Sequence, residues 1–387
     1  MCVTSIGLDA HARATSAAAL NPFTGEICQE ELGAGAAPVA EWAKGCESPE
    51  CAYGSGPTGW RLARELEGTG ADCCVAAVSK MQKPAADRRR KSGEGDAASL
   101  ARMLACRNTV EAFVPSGEAG AARGPSRASG DTGTGLRRDR QGLSKSLLGR
   151  GYVFSEANPL GQGKGSWPRA RRERMGETRL EGAARITYAH HATAARCAET
   201  DKPELEEAVE KEAERDRWAP VVEALPAIKG IDVASALCLA AEAGSFSRLG
   251  PAEECAGWRG LTPSGHPPGG KGARGHVAKC GSAATRRALA EAPWRFAGCS
   301  AKPKGLPPGR EASAETGRRG AERTRRLVKR HPELVRPGHS SRVTNTACAR
   351  EPACRAWGVG RRAEGAHQAQ LASRIASLPK APLPTQG

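Results

Sequence analysis

Aromatic side chains and long apolar runs are scarce in this sequence. Phe, Trp and Tyr make up only 4% of the 387 residues, whereas Gly occurs 47 times and Pro 26 times. Such a composition supplies little material for a large core, so poorly packed segments are expected. No apolar run reaches the roughly 18 residues that a membrane-spanning helix requires, so the sequence predicts no membrane partner.

Cysteines are numerous, but the spacings that would give them a function are absent. The fourteen cysteines are scattered over the chain, and no Cys-x-x-Cys pair occurs. No signal peptide is expected either, which argues against a secreted disulfide scaffold and favours a reduced, cytoplasmic setting. The adjacent Cys73 and Cys74 lie in an apolar run and are interpreted as filler of a strand.

Acidic residues are missing from one stretch of the C-terminal half. The chain carries a net charge of +16, yet residues 1–80 contain ten acids and only five bases. Residues 259–287 contain six bases and no acid. This predicts a phosphate-binding surface, with an ordinary basic surface as the alternative. The six bases are Arg259, Lys271, Arg274, Lys279, Arg286 and Arg287.

A helical hairpin is predicted just before that stretch, at residues 225–244. A short apolar helix, a turn at Lys229–Asp232 and a longer apolar helix follow one another, with Asp232 as the N-cap of the second helix. The pattern resembles the helix-hairpin-helix, in which a glycine turn and the free N–H groups of a helix start bind a phosphate. Lys229 and Gly230 are the predicted contacts, and a hairpin that only packs is the alternative.

Three antiparallel strands are predicted at the beginning of the chain. Alternating side chains mark Val3–Asp9, Ala14–Leu20 and Glu26–Leu32, and Asn21–Gly25 is a good turn between the second and third. Asp9 lies at the end of the first strand. It is a candidate metal ligand, although an Asp at a strand end is more often a turn or cap residue.

A parallel crossover unit is predicted next. Glu50–Tyr53 and Ala71–Val78 have the composition of strands, and Trp60–Leu66 between them predicts a helix with Thr58 as its N-cap. Asp96–Ala105 predicts a further helix, because its apolar residues recur on one face.

Two sets of motifs resemble the insertion-sequence-one-ten family of transposases. In the C-terminal half they are Gly260-Leu261-Thr262-Pro263, Gly269-Gly270-Lys271, Lys279-Cys280-Gly281-Ser282, Arg286-Arg287-Ala288-Leu289 and Trp294. In the N-terminal half, the segments similar to the RuvC-like DEDD domain of these transposases are Ile6–Asp9, Tyr53–Gly59, Val78–Lys91 and Asp96–Leu104.

The resemblance implies four segments. An α/β RuvC-like ribonuclease-H domain at 1–150 precedes a helical or coiled-coil linker at 151–220. A mostly α C-terminal domain with the helix-hairpin-helix-like element follows at 221–300, and a basic, partly disordered tail at 301–387.

Local propensity adds three expectations to this plan. Residues 116–135 are too rich in Gly to hold a helix, although the family has a long helix there. The charged segment Pro203–Trp218 predicts a helix that is either solvated or pairs between subunits of a homo-oligomer. In the tail, Arg318–Arg330 predicts a basic helix and Leu371–Gly387 a disordered end.

Transposition of an insertion sequence is the activity that the resemblance implies. In the family, a serine attacks a DNA phosphate with the help of Mg²⁺ held by four carboxylates, and a structured RNA guides the reaction. Asp9 and Asp96 match two of the carboxylates and are the predicted catalytic and metal-binding residues. Gly54, Gly93 and Pro267 replace the other two carboxylates and the serine.

These replacements predict an impaired transposase that binds DNA, with weak or absent Mg²⁺ binding, in a prokaryotic cytoplasm beside the nucleoid. Glu94 and Ser264 are the nearest substitutes for the lost groups, but a shift of one residue on a helix turns a side chain by about 100°. The alternatives are a catalytically inactive remnant that binds DNA or RNA, and a Holliday-junction-type nuclease that uses the metal site alone.

Overall fold

The computed structural model describes residues 3–56, 58–81, 93–152, 167, 173, 175–176, 178–262, 277–295, 322, 325–329, 331, 333 and 341–376. The chain divides into two compact units, Met1–Ser116 and Gly117–Gly387. This division falls inside the first predicted domain, and the four functional segments stay predictions. Within the described ranges, every helix is too short or too polar to span a membrane.

A five-stranded mixed sheet forms the centre of the first unit. Its strand order is β3-β2-β1-β4-β5. The first three strands pair antiparallel, as predicted, and β4 and β5 join parallel to β1 through the predicted crossover. This arrangement is compatible with a ribonuclease-H-like fold. The strands are Ser5–Ala10 (β1), Ala14–Leu20 (β2), Ile27–Gly33 (β3), Glu50–Gly54 (β4) and Asp72–Ala76 (β5).

Three helices and a short 3₁₀ turn complete this unit. Two of the helices were predicted; the third, α1, was not. The predicted cap of α2 is wrong, because Trp60 occupies the N-cap position and no side chain caps the helix. The helices are Ala36–Ala43 (α1), Arg61–Gly68 (α2) and Gly93–Ala105 (α3), and the 3₁₀ turn is Val78–Lys80.

The helices cover both faces of the sheet. Ile6 and Leu8 of β1 belong to the same apolar cluster as buried residues of α1 and α2. Side chains alternate along a strand, so Gly7 faces the opposite side. There α3 comes so close that a Cβ on Gly7 would overlap the Ala97 carbonyl oxygen and lie 2.5 Å from the Ala101 nitrogen. Glycine is therefore required where α3 crosses β1.

The second unit is helical in its described part. Its seven labelled helices are Gly117–Leu148 (α4), Gly182–Ala213 (α5), Ala219–Ala224 (α6), Val233–Ala243 (α7), Ala252–Trp258 (α8), Ala283–Glu291 (α9) and Ser341–Ala376 (α10). Leu225–Ala227 and Ala292–Arg295 form 3₁₀ turns. The largest apolar cluster among the described residues lies among these helices.

The helix α4 corrects the expectation that residues 116–135 are not helical. Ala119 and Ala122 are completely buried in the large cluster. Farther along, Arg123 donates to the Ala241 and Glu242 carbonyl oxygens at 3.1 and 3.0 Å. Tertiary packing of this kind outweighs a helix propensity lowered by glycine. The small side chains that weaken the isolated helix also permit its close packing.

The helix α5 pairs with α4 in antiparallel fashion. Glu118 near the start of α4 meets Arg217 just after α5, and Asp139 meets His191 in the earlier half of α5. The helix predicted over 203–218 therefore forms as part of α5, which ends at Ala213. Its buried Val209 packs within the same chain. Pairing between subunits stays a prediction.

The helix α10 lies in the segment predicted as a basic, partly disordered tail. Ala349, Ala353 and Ala356 lie about one turn apart and are completely buried in the large cluster. A stripe of small residues among many arginines gives a weak periodic signal, which explains why the sequence did not reveal it. Residues 371–376, predicted as disordered, are its last turns. Of the predicted helix Arg318–Arg330, residues 325–329 are helical.

Candidate catalytic and nucleic-acid sites

The sheet of the first unit brings Asp9 and position 54 together. Leu8 pairs with Tyr53 across the parallel strands β1 and β4, so the next residues, Asp9 and Gly54, lie side by side at the carboxyl ends of both strands. By alternation both point to the face covered by α3. Asp96 lies in the first turn of α3, directly before the Ala97 that contacts Gly7. The three predicted positions thus occupy one face.

Asp9 has a partner that the sequence did not suggest. Its Oδ2 lies 3.0 Å from Nε2 of His11, which is mostly exposed. Asp9 itself keeps about a quarter of its side chain exposed, at 26%. An Asp-x-His pattern at a strand end was the available signal.

The described residues do not fit a site for two Mg²⁺ ions. Two such ions share several carboxylate oxygens, and Mg²⁺ accepts little distortion of its octahedral shell. Among the residues that the structure describes, no three His, Cys, Asp or Glu side chains are placed to hold a metal ion. At Gly54, a Cβ would lie 3.1 Å from the Val78 Cγ2 methyl, a tight contact that a small shift of the Val78 side chain would relieve. The side chain of Glu94 lies outside the described residues.

At the predicted hairpin of the second unit, the turn and the capped second helix are present. Asp232 caps α7, its Oδ1 accepting the Ser235 N–H at 2.9 Å. Gly244 ends this helix with a φ of 70°. The preceding 3₁₀ turn Leu225–Ala227 and α6 replace the single short helix that was predicted. Phosphate binding by this hairpin stays a prediction.

Gly230 has a structural role within the hairpin. Its φ is 90°, and a Cβ there would lie 2.6 Å from the Ala292 carbonyl oxygen. Both the backbone conformation and the close approach of the 3₁₀ turn Ala292–Arg295 require glycine. Packing alone therefore accounts for this residue. Lys229 beside it is half-buried and has its own interactions.

Arg259 is not part of the predicted phosphate-binding surface. Its side chain is completely buried, with the guanidinium carbon 5.8 Å from the centre of the Phe246 ring and 5.5 Å from that of Trp258. One nitrogen donates to the Cys255 sulfur and, at 3.5 Å, to the Ala353 carbonyl oxygen. Burial lowers the pKa of Arg259. The sequence pattern could not distinguish this core arginine from a surface one.

Arg286 joins the two chain segments that flank residues 263–276. Its guanidinium donates to the Arg259 and Cys280 carbonyl oxygens at 3.1 and 2.8 Å. Between the same segments, the Ala278 N–H donates to the Thr262 carbonyl oxygen at 2.9 Å. We call this set of contacts the loop base. The intervening Lys271, Arg274, Ser264 and Pro267 lie outside the described residues.

Two further predicted contacts lie on or beside α9. Arg287 pairs with Asp131 of α4 at 2.6 Å, and the neighbouring Glu291 pairs with Arg137 at 2.8 Å. Lys279 is exposed, with a φ of 55°. Lys279 is thus available at the surface, whereas Arg286 and Arg287 also bind groups of the protein itself.

Comparison with known proteins bears directly on the region just described. Residues 222–307 match the family model described as "Transposase IS116/IS110/IS902 family". The chain is also similar to the protein named "Putative transposase y4qE" from Sinorhizobium fredii (strain NBRC 101917 / NGR234). The two are 29% identical over 315 residues, which cover 80% of this chain and 75% of the relative.

Both matches are to transposases of insertion sequences, the family that the motifs resemble. The family resemblance predicted from the motifs is therefore confirmed. The matched segment 222–307 contains the hairpin, the loop base and α9. The similarity to the relative is longer than the matched domain, since 315 residues exceed the segment 222–307.

Proposed function

We propose that this chain is an insertion-sequence transposase that binds DNA but, as its sequence stands, does not cut or join it. The observation that carries the second part is Gly54. It lies beside Asp9 at the carboxyl edge of the sheet, on the face that carries Asp96, where the family resemblance implies a glutamate. Gly93 and Pro267 are the other two replaced positions.

The chemistry of the replaced groups supports the loss of activity. A nucleophile must present a hydroxyl to the phosphate and pass its proton to a base. Proline has no hydroxyl, and its fixed φ stiffens the segment that should present one. Ser264 lies three residues before Pro267, up to about 10 Å in an extended chain. The alternative of a nuclease that uses only the metal site receives no support from the described carboxylates.

Charge and family together support DNA as the partner. The exposed Lys279 follows the segment that contains Lys271 and Arg274, and the loop base holds both ends of that segment together. Such a basic, glycine-rich segment on a fixed base suits contact with a phosphate backbone. A structured guide RNA presents the same phosphates and belongs to the same proposal.

Salt dependence of binding tests the DNA contact. Replacing Lys271, Arg274 and Lys279 with Ala should reduce the slope of log affinity against log salt by about 2 to 3 units, because each phosphate contact contributes roughly 0.7 to 0.9. A matched control removes three exposed bases of the first unit, Lys44, Arg61 and Arg107, and should leave the slope as it is. An equal change in both variants would show a general charge effect and contradict the proposed surface.

Restoration of the replaced groups tests the loss of catalysis. The unaltered chain is compared with one triple variant, the restored chain, which carries Gly54→Glu, Gly93→Asp and Pro267→Ser. Both are tested in an in vitro recombination assay with matched element ends and any guide RNA. Covalent protein–DNA adducts should form only in the restored chain. Adducts from the unaltered chain would overturn the proposal. Circular dichroism of both chains shows whether an inactive restored chain is folded.

Assembly into a homo-oligomer is the third part of this proposal. The charged segment 203–218 predicts a helix that pairs between subunits, and the side of this segment that carries Val209 is already packed within the chain. Subunit contact would therefore use its charged side, on which Glu207 and Lys211 are exposed and paired at 2.6 Å. Sedimentation of the charge-swapped double variant Glu207→Lys, Lys211→Glu and of each single variant tests this. The oligomer should dissociate in the single variants and not in the double variant.

A further inference from the structure

Trp294 is an exposed aromatic side chain on a fixed turn. It belongs to the 3₁₀ turn Ala292–Arg295, whose first two residues are buried. The indole itself is 54% exposed. Indole rings usually bury most of their surface, so a ring held outward by a well-packed turn is a candidate contact.

The surroundings of Trp294 are basic. The hairpin turn at Gly230 packs directly on Ala292, which brings Lys229 to the same region. Arg295 follows in sequence and is exposed. Three acids lie on the neighbouring elements, and each has a partner: Glu291 pairs with Arg137, Asp131 pairs with Arg287, and Asp232 accepts the Ser235 N–H as the cap of α7. These partners lessen the repulsion that an anionic ligand would meet.

We infer that Trp294 is a stacking platform for an unpaired nucleic-acid base. This inference rests on the proposed nucleic-acid function and adds a preference for single-stranded substrate. Basic side chains bind the phosphates of any strand, whereas an aromatic face beside them stacks on a base that is not already stacked in a duplex. A purely apolar protein partner suits this site less well, because it would leave the surrounding charges without partners.

Binding of single-stranded and duplex oligonucleotides of the same sequence tests the platform. Stacking contributes roughly 1 to 3 kcal/mol per base, so Trp294→Leu should weaken single-strand binding by about 5- to 140-fold. Duplex affinity should change less than about twofold. Trp294→Phe keeps an aromatic face and should retain most of the single-strand affinity. The salt slope should be equal in all three proteins, because no phosphate contact is removed.

Two outcomes would overturn the inference. Equal single-strand affinity of Trp294→Leu and the unaltered chain would show that no ring stacks, and equal losses for single strand and duplex would show a general effect. Phe23→Leu, at a 79% exposed aromatic of the first unit, is the matched control and should change nothing. If the unaltered chain binds no nucleic acid, the proposed function itself fails; if it binds and Trp294→Leu is neutral, only the platform fails.

Discussion

The two units differ in how their charged and functional positions relate to the core. In the first unit, Asp9 and Gly54 lie at the carboxyl edge of the sheet, and a Cβ at position 54 would meet only the Val78 side chain, at 3.1 Å. In the second unit, Glu242 and Arg259 lie inside the helical cluster and bind backbone or neighbouring helices. Residues of the candidate site can therefore be replaced in the first unit without loss of its fold. In the second unit, loss of one of these buried charges is expected to destabilise the fold.

The largest expected effect comes from the buried carboxylate of the second unit. Glu242 is 5% exposed and pairs with Arg127 at 2.6 Å and with Arg123 at 3.6 Å. Glu242→Leu leaves the largely buried Arg123 without its counter-charge and should cost about 3 to 5 kcal/mol. Hydrogen exchange of the α7 amides measures the loss locally.

A matched pair of controls limits this interpretation. Glu207→Leu removes an equal charge from an exposed pair and should leave the exchange of α7 unchanged. Adding Arg123→Met to Glu242→Leu removes the unpaired buried charge and should recover part of the stability. A double variant less stable than Glu242→Leu would contradict the role of the buried pair.

The second prediction concerns Mg²⁺ binding by the first unit, where substitutions should change the affinity for the metal and not the fold. With Asp9 and Asp96 as the matched ligands, calorimetry should detect no Mg²⁺ site tighter than about millimolar. Gly54→Glu with Gly93→Asp should raise the affinity at least about tenfold, since two carboxylates are added to the same face. A micromolar site in the unaltered chain that Asp9→Ala abolishes would contradict this, and would show that another acid completes the shell.

How far the sequence predicted the fold also differs between the units. Strands β1 to β5 were found because alternation and turn residues act locally. The helix α1 was missed, and α4 and α10 were misjudged, because their stability comes from alanine stripes that pack on distant helices or strands. Local propensity carries no information about such partners.

The candidate sites show the same limit. The motifs singled out Asp9, position 54 and Asp96, and only the strand register and the packing of α3 show that they share one face. Their role as a metal site stays a prediction. Charge counting failed for Arg259, because composition cannot tell a buried guanidinium from an exposed one. The loop-base role of Arg286 depends on two carbonyl oxygens that only the folded chain brings within reach.

The third prediction compares helix capping in the two units. Asp232 caps α7 by accepting a hydrogen bond from the Ser235 N–H, whereas Trp60, at the N-cap position of α2, provides no side-chain cap. Asp232→Ala should therefore cost about 1 kcal/mol in the second unit, and Asp232→Asn should recover most of it. Hydrogen exchange of the first amides of α7 measures the loss in Asp232→Ala and its recovery in Asp232→Asn. Equal losses for Ala and Asn would indicate that the carboxylate charge matters more than the cap.

The smallest effect is a pH dependence of the α4–α5 pair. Burial alone would raise the pKa of Asp139, but hydrogen bonds from Arg138 and His191 lower it below its ordinary value of 3.8. A carboxylate with a lowered folded pKa adds stability above its unfolded pKa, and this stability is lost as the pH falls through the folded value. Asp139→Asn keeps the shape and an oxygen acceptor, and its partner Arg138 is 75% exposed and stays solvated without the carboxylate, so the loss should be about 1 kcal/mol or less at neutral pH. The measurement is the difference in stability between the unaltered chain and Asp139→Asn, obtained from hydrogen exchange of α4 amides. This difference should be constant near neutrality and shrink below pH 3.8.

A difference in stability that instead grows on acidification would mean that Asp139 is protonated in the folded chain and that His191 and Arg138 do not hold it as the anion.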